Sequence, residues 1–118
     1  MRIEIKGRNG VVVDDDLRAR VERRFEKVAR QVSELAQLEV ELHEERNPSI
    51  HPSQVAEVTL RLKGTTLRAR ESADNMPHAV NLVAEDLARQ VKRHRDKRRA
   101  RRSTPPLGAQ PEAPPQAP

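Results

Sequence analysis

The sequence predicts an α+β fold, a two-layer sandwich in the order β-α-β-β-β-α, with a four-stranded sheet and two helices on one face. Four short stretches alternate apolar and polar residues with period two, and two longer ones repeat apolar residues at helical spacing. Each strand then has one apolar face and each helix one stripe. Burying all of them together puts both helices on the same side of the sheet. The length, 118 residues, suits a single domain.

The first strand is Arg2-Ile3-Glu4-Ile5-Lys6, with Ile3 and Ile5 on one face, and Gly7-Arg8-Asn9-Gly10 supplies turn residues after it. Asp14-Asp15-Asp16 opens the first helix. One aspartate caps an orphan N–H and the others complement the positive end of the helix dipole. A divalent ion is the other use for three carboxylates, but capping accounts for them. Leu17, Val21, Phe25, Val28 and Val32 make the stripe, so this helix is expected to reach Val32 or a little beyond.

Alternation returns at residues 38–43, with Leu38, Val40 and Leu42 inward and Glu39, Glu41 and His43 outward. Asn47-Pro48 and His51-Pro52 mark a loop, because a residue before proline is pushed out of the helical region. Residues 55–63 and 66–71 are two further strands around Gly64-Thr65. The last three strands read as an antiparallel meander. The first two, joined through a helix, are parallel if adjacent. The second helix follows Ser72–Asn75, with Asp74 as its expected cap and Pro77 in its first turn. Met76, Val80, Val83, Leu87 and Val91 form its stripe. In the same phase come His94, Arg98 and Arg101, as if the helix had outrun the sheet.

Composition excludes several kinds of chemistry. There is no Cys, hence no disulfide, thiolate metal site or Cys nucleophile. Phe25 is the one aromatic residue, which argues against stacking unpaired bases on a row of rings. No apolar run reaches the ~20 residues of a membrane span. The N-terminus has no apolar core of a secretory signal, so a cytoplasmic protein is expected. The four histidines fall in a strand, a loop, a helix start and a basic run; all are expected at the surface, with no metal and no cofactor. The serines lie in no nucleophile elbow, and four glycines in all build no phosphate-cradling loop. No enzymatic constellation emerges, and no small-molecule substrate is expected.

Charge is the informative property. Residues 1–91 carry 15 Lys+Arg against 16 Asp+Glu, whereas 92–102 carry 8 cations against Asp96 alone. Arg20, Arg23, Lys27 and Arg30 form a second cationic stripe, on the first helix roughly opposite its apolar one. Glu22 and Glu26 lie beside it, so a solvated face laced with salt bridges is one reading. The other is that two neighbouring helices present both cation sets on one outer surface suited to phosphates. Without aromatic residues, such a surface would follow the shape and phosphate spacing of structured nucleic acid. A general binder of double-stranded RNA fits this description as well. The final 16 residues, 103–118, hold 6 prolines and little to bury, and are expected to be a disordered extension.

Taken in order, Ile3-Glu4-Ile5-Lys6-Gly7-Arg8-Asn9, Asp15-Asp16-Leu17-Arg18, Asp74-Asn75-Met76, Asp86-Leu87, Arg89-Gln90 and Lys92-Arg93-His94-Arg95-Asp96-Lys97 resemble the ribosome hibernation-promoting factor and ribosome-associated inhibitor family. The resemblance covers about residues 1–98, the expected ribosome-binding domain, and leaves 99–118 as a basic, then proline-rich tail. It implies a β-α-β-β-β-α domain that binds the 30S ribosomal subunit through 16S rRNA. Members of this family occupy the channel of mRNA and tRNA and hold ribosomes inactive in slow growth, stress or stationary phase. By position that contact falls on Arg89, Lys92, Arg93, Arg95 and Lys97, and further on Arg8, Arg20, Arg23, Lys27 and Arg30. The loop 9–13 is one residue longer than the family's usual spacing. Long members carry a C-terminal domain that pairs two ribosomes, where this chain has its proline-rich stretch. The expectation is therefore a short form, monomeric off the ribosome and not pairing ribosomes by itself.

Overall fold

The computed structural model describes residues 1–47 and 53–103, with side chains through residue 100. Its elements are β1 (Arg2–Arg8), α1 (Asp15–Arg24), α2 (Glu26–Ala29), β2 (Gln37–Glu44), β3 (Gln54–Leu62), β4 (Thr65–Ala73) and α3 (Met76–Ser103). The sheet order is β1-β2-β3-β4, with β1 parallel to β2 and the other pairs antiparallel. The α+β sandwich and the meander expected from the sequence are both present. The proline-marked loop at 48–52 and the segment 104–118 lie outside the described residues. Helix α3 continues through 99–103, the start of the segment read as a tail.

Alternation determines which face is buried. Ile5, Leu38, Val40, Leu42, Ala56, Val58, Leu60 and Ala69 are buried on the helix side of the sheet. Against them pack Val21, Phe25 and Val28 from the first helical segment and Ala79, Val80, Val83, Ala84, Leu87 and Val91 from α3. Gly7 sits on this inner face of β1, where the chain returns so closely that a Cβ would collide with the Val11 carbonyl oxygen. Among the described residues, no helix is long and apolar enough to cross a membrane.

Two local expectations need correction. The first helix does not run unbroken to Val32. Phe25 adopts φ −98°, ψ 3°, outside the helical well, and separates α1 from α2. The hydrogen-bond ladder continues across it, with the Ala29 amide donating to the Phe25 carbonyl at 2.9 Å, so the apolar stripe stays in phase. The helix closes with the tighter bond from the Gln31 amide to the Val28 carbonyl, and the Ser33 hydroxyl then accepts from the Leu35 amide at 3.0 Å. The second correction is the cap of α3. Asn75, not Asp74, accepts from the His78 amide at 2.9 Å. Pro77 offers no N–H, so the first donor within reach of a cap is that of His78, three residues beyond Asn75. At α1 the cap is Asp14, whose carboxylate accepts from the Leu17 amide at 2.8 Å.

Candidate nucleic-acid interface

The two helical segments run side by side in the same direction, because β1 and β4 point the same way and each feeds a helix that returns across the sheet. A shallow cleft lined by Asp16, Leu17, Arg20, Arg23 and Pro77 joins the start of α1 to the start of α3. At the far end, Gln31 to Gln37 lie against Val91, His94, Arg95 and Arg98. The cations therefore form a strip rather than a cluster. Arg20 and Arg23 lie beside Pro77, and Lys92 is about 22 Å further along α3 at ~1.5 Å per residue. Lys27 and Arg30 lie between in sequence, on and just after α2.

Arg23, Lys27, Arg30, Lys92, Arg93 and Lys97 are exposed, and Arg20 and Arg95 are half-buried. Among the described residues, none of these eight makes an ion pair with a carboxylate. Glu22 and Glu26 make no ion pair with the cations of the first helix, so the salt bridges of the solvated-face reading are not formed in this structure. The open face of the sheet behaves in the opposite way. There Arg8 pairs with Glu41 at 2.7 Å, Arg61 with Glu39 at 2.7 Å and Arg70 with Glu57 at 3.2 Å. Strand parity places Arg8 on this open face, so the structure separates it from the helical cations. Arg2 and Arg68, also on the open face, make no ion pair, so unpaired positive charge is denser on the helical layer without being confined to it.

The far end of the strip has more shape than the sequence suggested. Where α3 passes the sheet, a groove of about 760 Å³ opens over Val32, Leu35, Leu62 and Val91, rimmed by Arg61, Lys63, Arg95 and Arg98. Leu35 is 86% exposed. The Arg95 Nε lies buried with no hydrogen-bond partner among the described residues. Arg89 is in a different situation, close to an acid pair. Burial and then the neighbouring Asp86, by hydrogen bond and by charge, push the Glu71 carboxyl above the usual carboxylate range, and Arg89 opposes the shift. Gln90 spans the same edge, donating to the Arg68 carbonyl at 2.7 Å and to Asp86 at 3.2 Å.

Two features were not anticipated. Glu71 shares the inner parity of Leu67, Ala69 and Ala73, and alternation alone would have pointed to a carboxyl under α3. The expectation of surface histidines fails for His43, which is only 6% exposed although it lies on the open face. Its neighbours there are Glu41, two residues away on the same strand, and Glu57, opposite Glu41 across the β2–β3 register. The Glu-x-His alternation was a visible signal; the third residue came only with strand pairing.

Residues 3–99 match the family model described as Sigma 54 modulation protein / S30EA ribosomal protein. A curated relative, the ribosome hibernation promotion factor of Picosynechococcus sp., is 31% identical over 98 residues, covering 82% of this chain and 50% of that protein. The chain thus spans half the length of that relative. Among solved structures, the N-terminal domain of Thermus thermophilus Protein Y superposes with a TM-score of 0.67 at 24% identity, covering 80% of this chain and 99% of that one. A ribosomal subunit interface protein from Coxiella burnetii gives 0.64 at 19% identity, over 81% and 99%. The two superpositions establish the shared fold, and the match over residues 3–99 establishes that the chain belongs to the Sigma 54 modulation protein / S30EA ribosomal protein family.

Proposed function

We propose that this domain is a ribosome hibernation factor of the cytoplasm that binds the 30S subunit through 16S rRNA and inhibits translation by occupying the path of mRNA and tRNA. The observation that carries this reading is the division of charge between the layers. On the open face of the sheet Arg8, Arg61 and Arg70 pair with carboxylates and only Arg2 and Arg68 do not, whereas none of the eight helical cations from Arg20 to Lys97 pairs with one among the described residues. Phosphates are the natural counterions for such a strip, and arginine's planar fork suits them. The family and the name of the Picosynechococcus relative direct that affinity to the ribosome. Inhibition by filling space requires no reacting group, so the action is non-enzymatic.

The test is co-sedimentation with purified 30S and 50S subunits across a salt series, with a plain RNA duplex as competitor. Binding to 30S that weakens steeply with salt, and that the duplex displaces only at much higher concentration, is expected. Displacement by the duplex at comparable concentration would make the protein a general binder of structured RNA. Binding confined to 50S, or indifferent to salt, would overturn the proposal.

A further inference from the structure

We propose that Glu41, His43 and Glu57 form a binding site for a divalent first-row transition metal, zinc above all, on the open face of the sheet. This does not depend on the ribosomal reading. Residues 41 and 43 share a face of β2, and β3 brings Glu57 directly opposite Glu41. One donor atom from each residue lies within 4.8 Å of the other two. Two carboxylates facing each other across a strand pair repel, so the arrangement calls for positive charge between them.

The imidazole points to a metal rather than a further ion pair. His43 is nine-tenths buried, and its Nδ1 has no hydrogen-bond partner among the described residues, with Glu57 Oε1 at 3.9 Å. A buried ring nitrogen left unpartnered is costly and rare. A metal held at ~2.0–2.2 Å by one nitrogen and two oxygens places those donors roughly 3.3 Å apart, in tetrahedral geometry. Rotation of the two glutamate side chains closes the difference. One imidazole with two carboxylates suits zinc and its neighbours, whereas magnesium and calcium prefer all-oxygen sites.

Arg8 and Arg70 now neutralise the two carboxylates, but their side chains are 55% and 59% exposed. Pairs so exposed are weak and easily exchanged. After exchange the guanidinium groups can hydrogen-bond the outer carboxylate oxygens and steady the ligands. Metal binding would also leave Arg8 and Arg70 uncompensated, making the sheet face more cationic.

The experiment titrates chelator-treated full-length protein with Zn²⁺ by calorimetry and follows its thermal unfolding with and without the metal. One site per chain and a raised melting temperature are expected. Glu57→Gln, which keeps size and shape, should weaken Zn²⁺ binding about tenfold or more, since even the loss of a group that only supports a ligand costs roughly 10–100-fold. His43→Asn should do the same, with circular dichroism checking the fold of both variants. His78→Asn and His94→Asn should leave affinity unchanged, and Mg²⁺ should not compete. No Zn²⁺ binding, binding unaffected by Glu57→Gln, or binding lost with His78 or His94 instead would overturn the site.

Discussion

Reversing the charge of Lys92 and Arg93 together tests the proposed interface most directly. Both side chains are exposed on α3, next to buried Val91 but outside the apolar stripe. Their replacement by glutamate should therefore change stability little, within about 0.5 kcal/mol for each exposed site. The effect on binding follows from counterion release. If about six of the strip's eight unpaired cations meet phosphates, the slope of log K against log salt is about −4 to −5, at ~0.7–0.9 per contact. Doubling the salt then weakens binding roughly twentyfold. Losing two contacts should flatten the slope by about 1.4–1.8, and the new carboxylates should repel the backbone as well. The assay is 30S co-sedimentation of wild type and Lys92→Glu/Arg93→Glu at four or more salt concentrations, with circular dichroism as the control for folding. A double variant that stays folded and keeps both affinity and slope would refute the assignment of this end of α3 to phosphate contact.

Other predictions concern the scaffold. Glu71 is protonated more readily in the folded chain than in the unfolded one, chiefly because burial and Asp86 disfavour its charge. The folded state then binds the extra proton, so this group's contribution is complete at acid pH and is lost as pH rises through the ordinary carboxylate range and past the folded value. Glu71→Gln should raise stability at neutral pH and match wild type at low pH, as read from urea melts across pH. Phe25→Ala removes a completely buried ring and should cost about 3–5 kcal/mol in denaturant unfolding. Gly7→Ala forces a Cβ onto the Val11 carbonyl and should lower the melting temperature, while the equally conservative Gly10→Ala, with open space around it, is disfavoured only by its positive φ.

The order of elements, the inward residues and the two cationic stripes were legible along the chain because they are periodic. Period two and period 3.6 are properties of local backbone geometry, and Leu38-Val40-Leu42 or Val80-Val83-Leu87 display them without any partner. The break at Phe25 was not legible, since an unbroken apolar stripe passes through it. The choice of Asn75 over Asp74 turned on the missing N–H of Pro77 and on which residue stands three before the first free donor. Only the tertiary structure decided that Arg8 pairs with Glu41 while Arg20 and Lys92 pair with no carboxylate among the described residues, and that Glu57 meets Glu41 and His43. Ion pairing and ligand clustering depend on strand register and helix placement, which bring together residues far apart in the chain. A repeating pattern states which way a side chain points; what it meets there is set by the packing of the other elements.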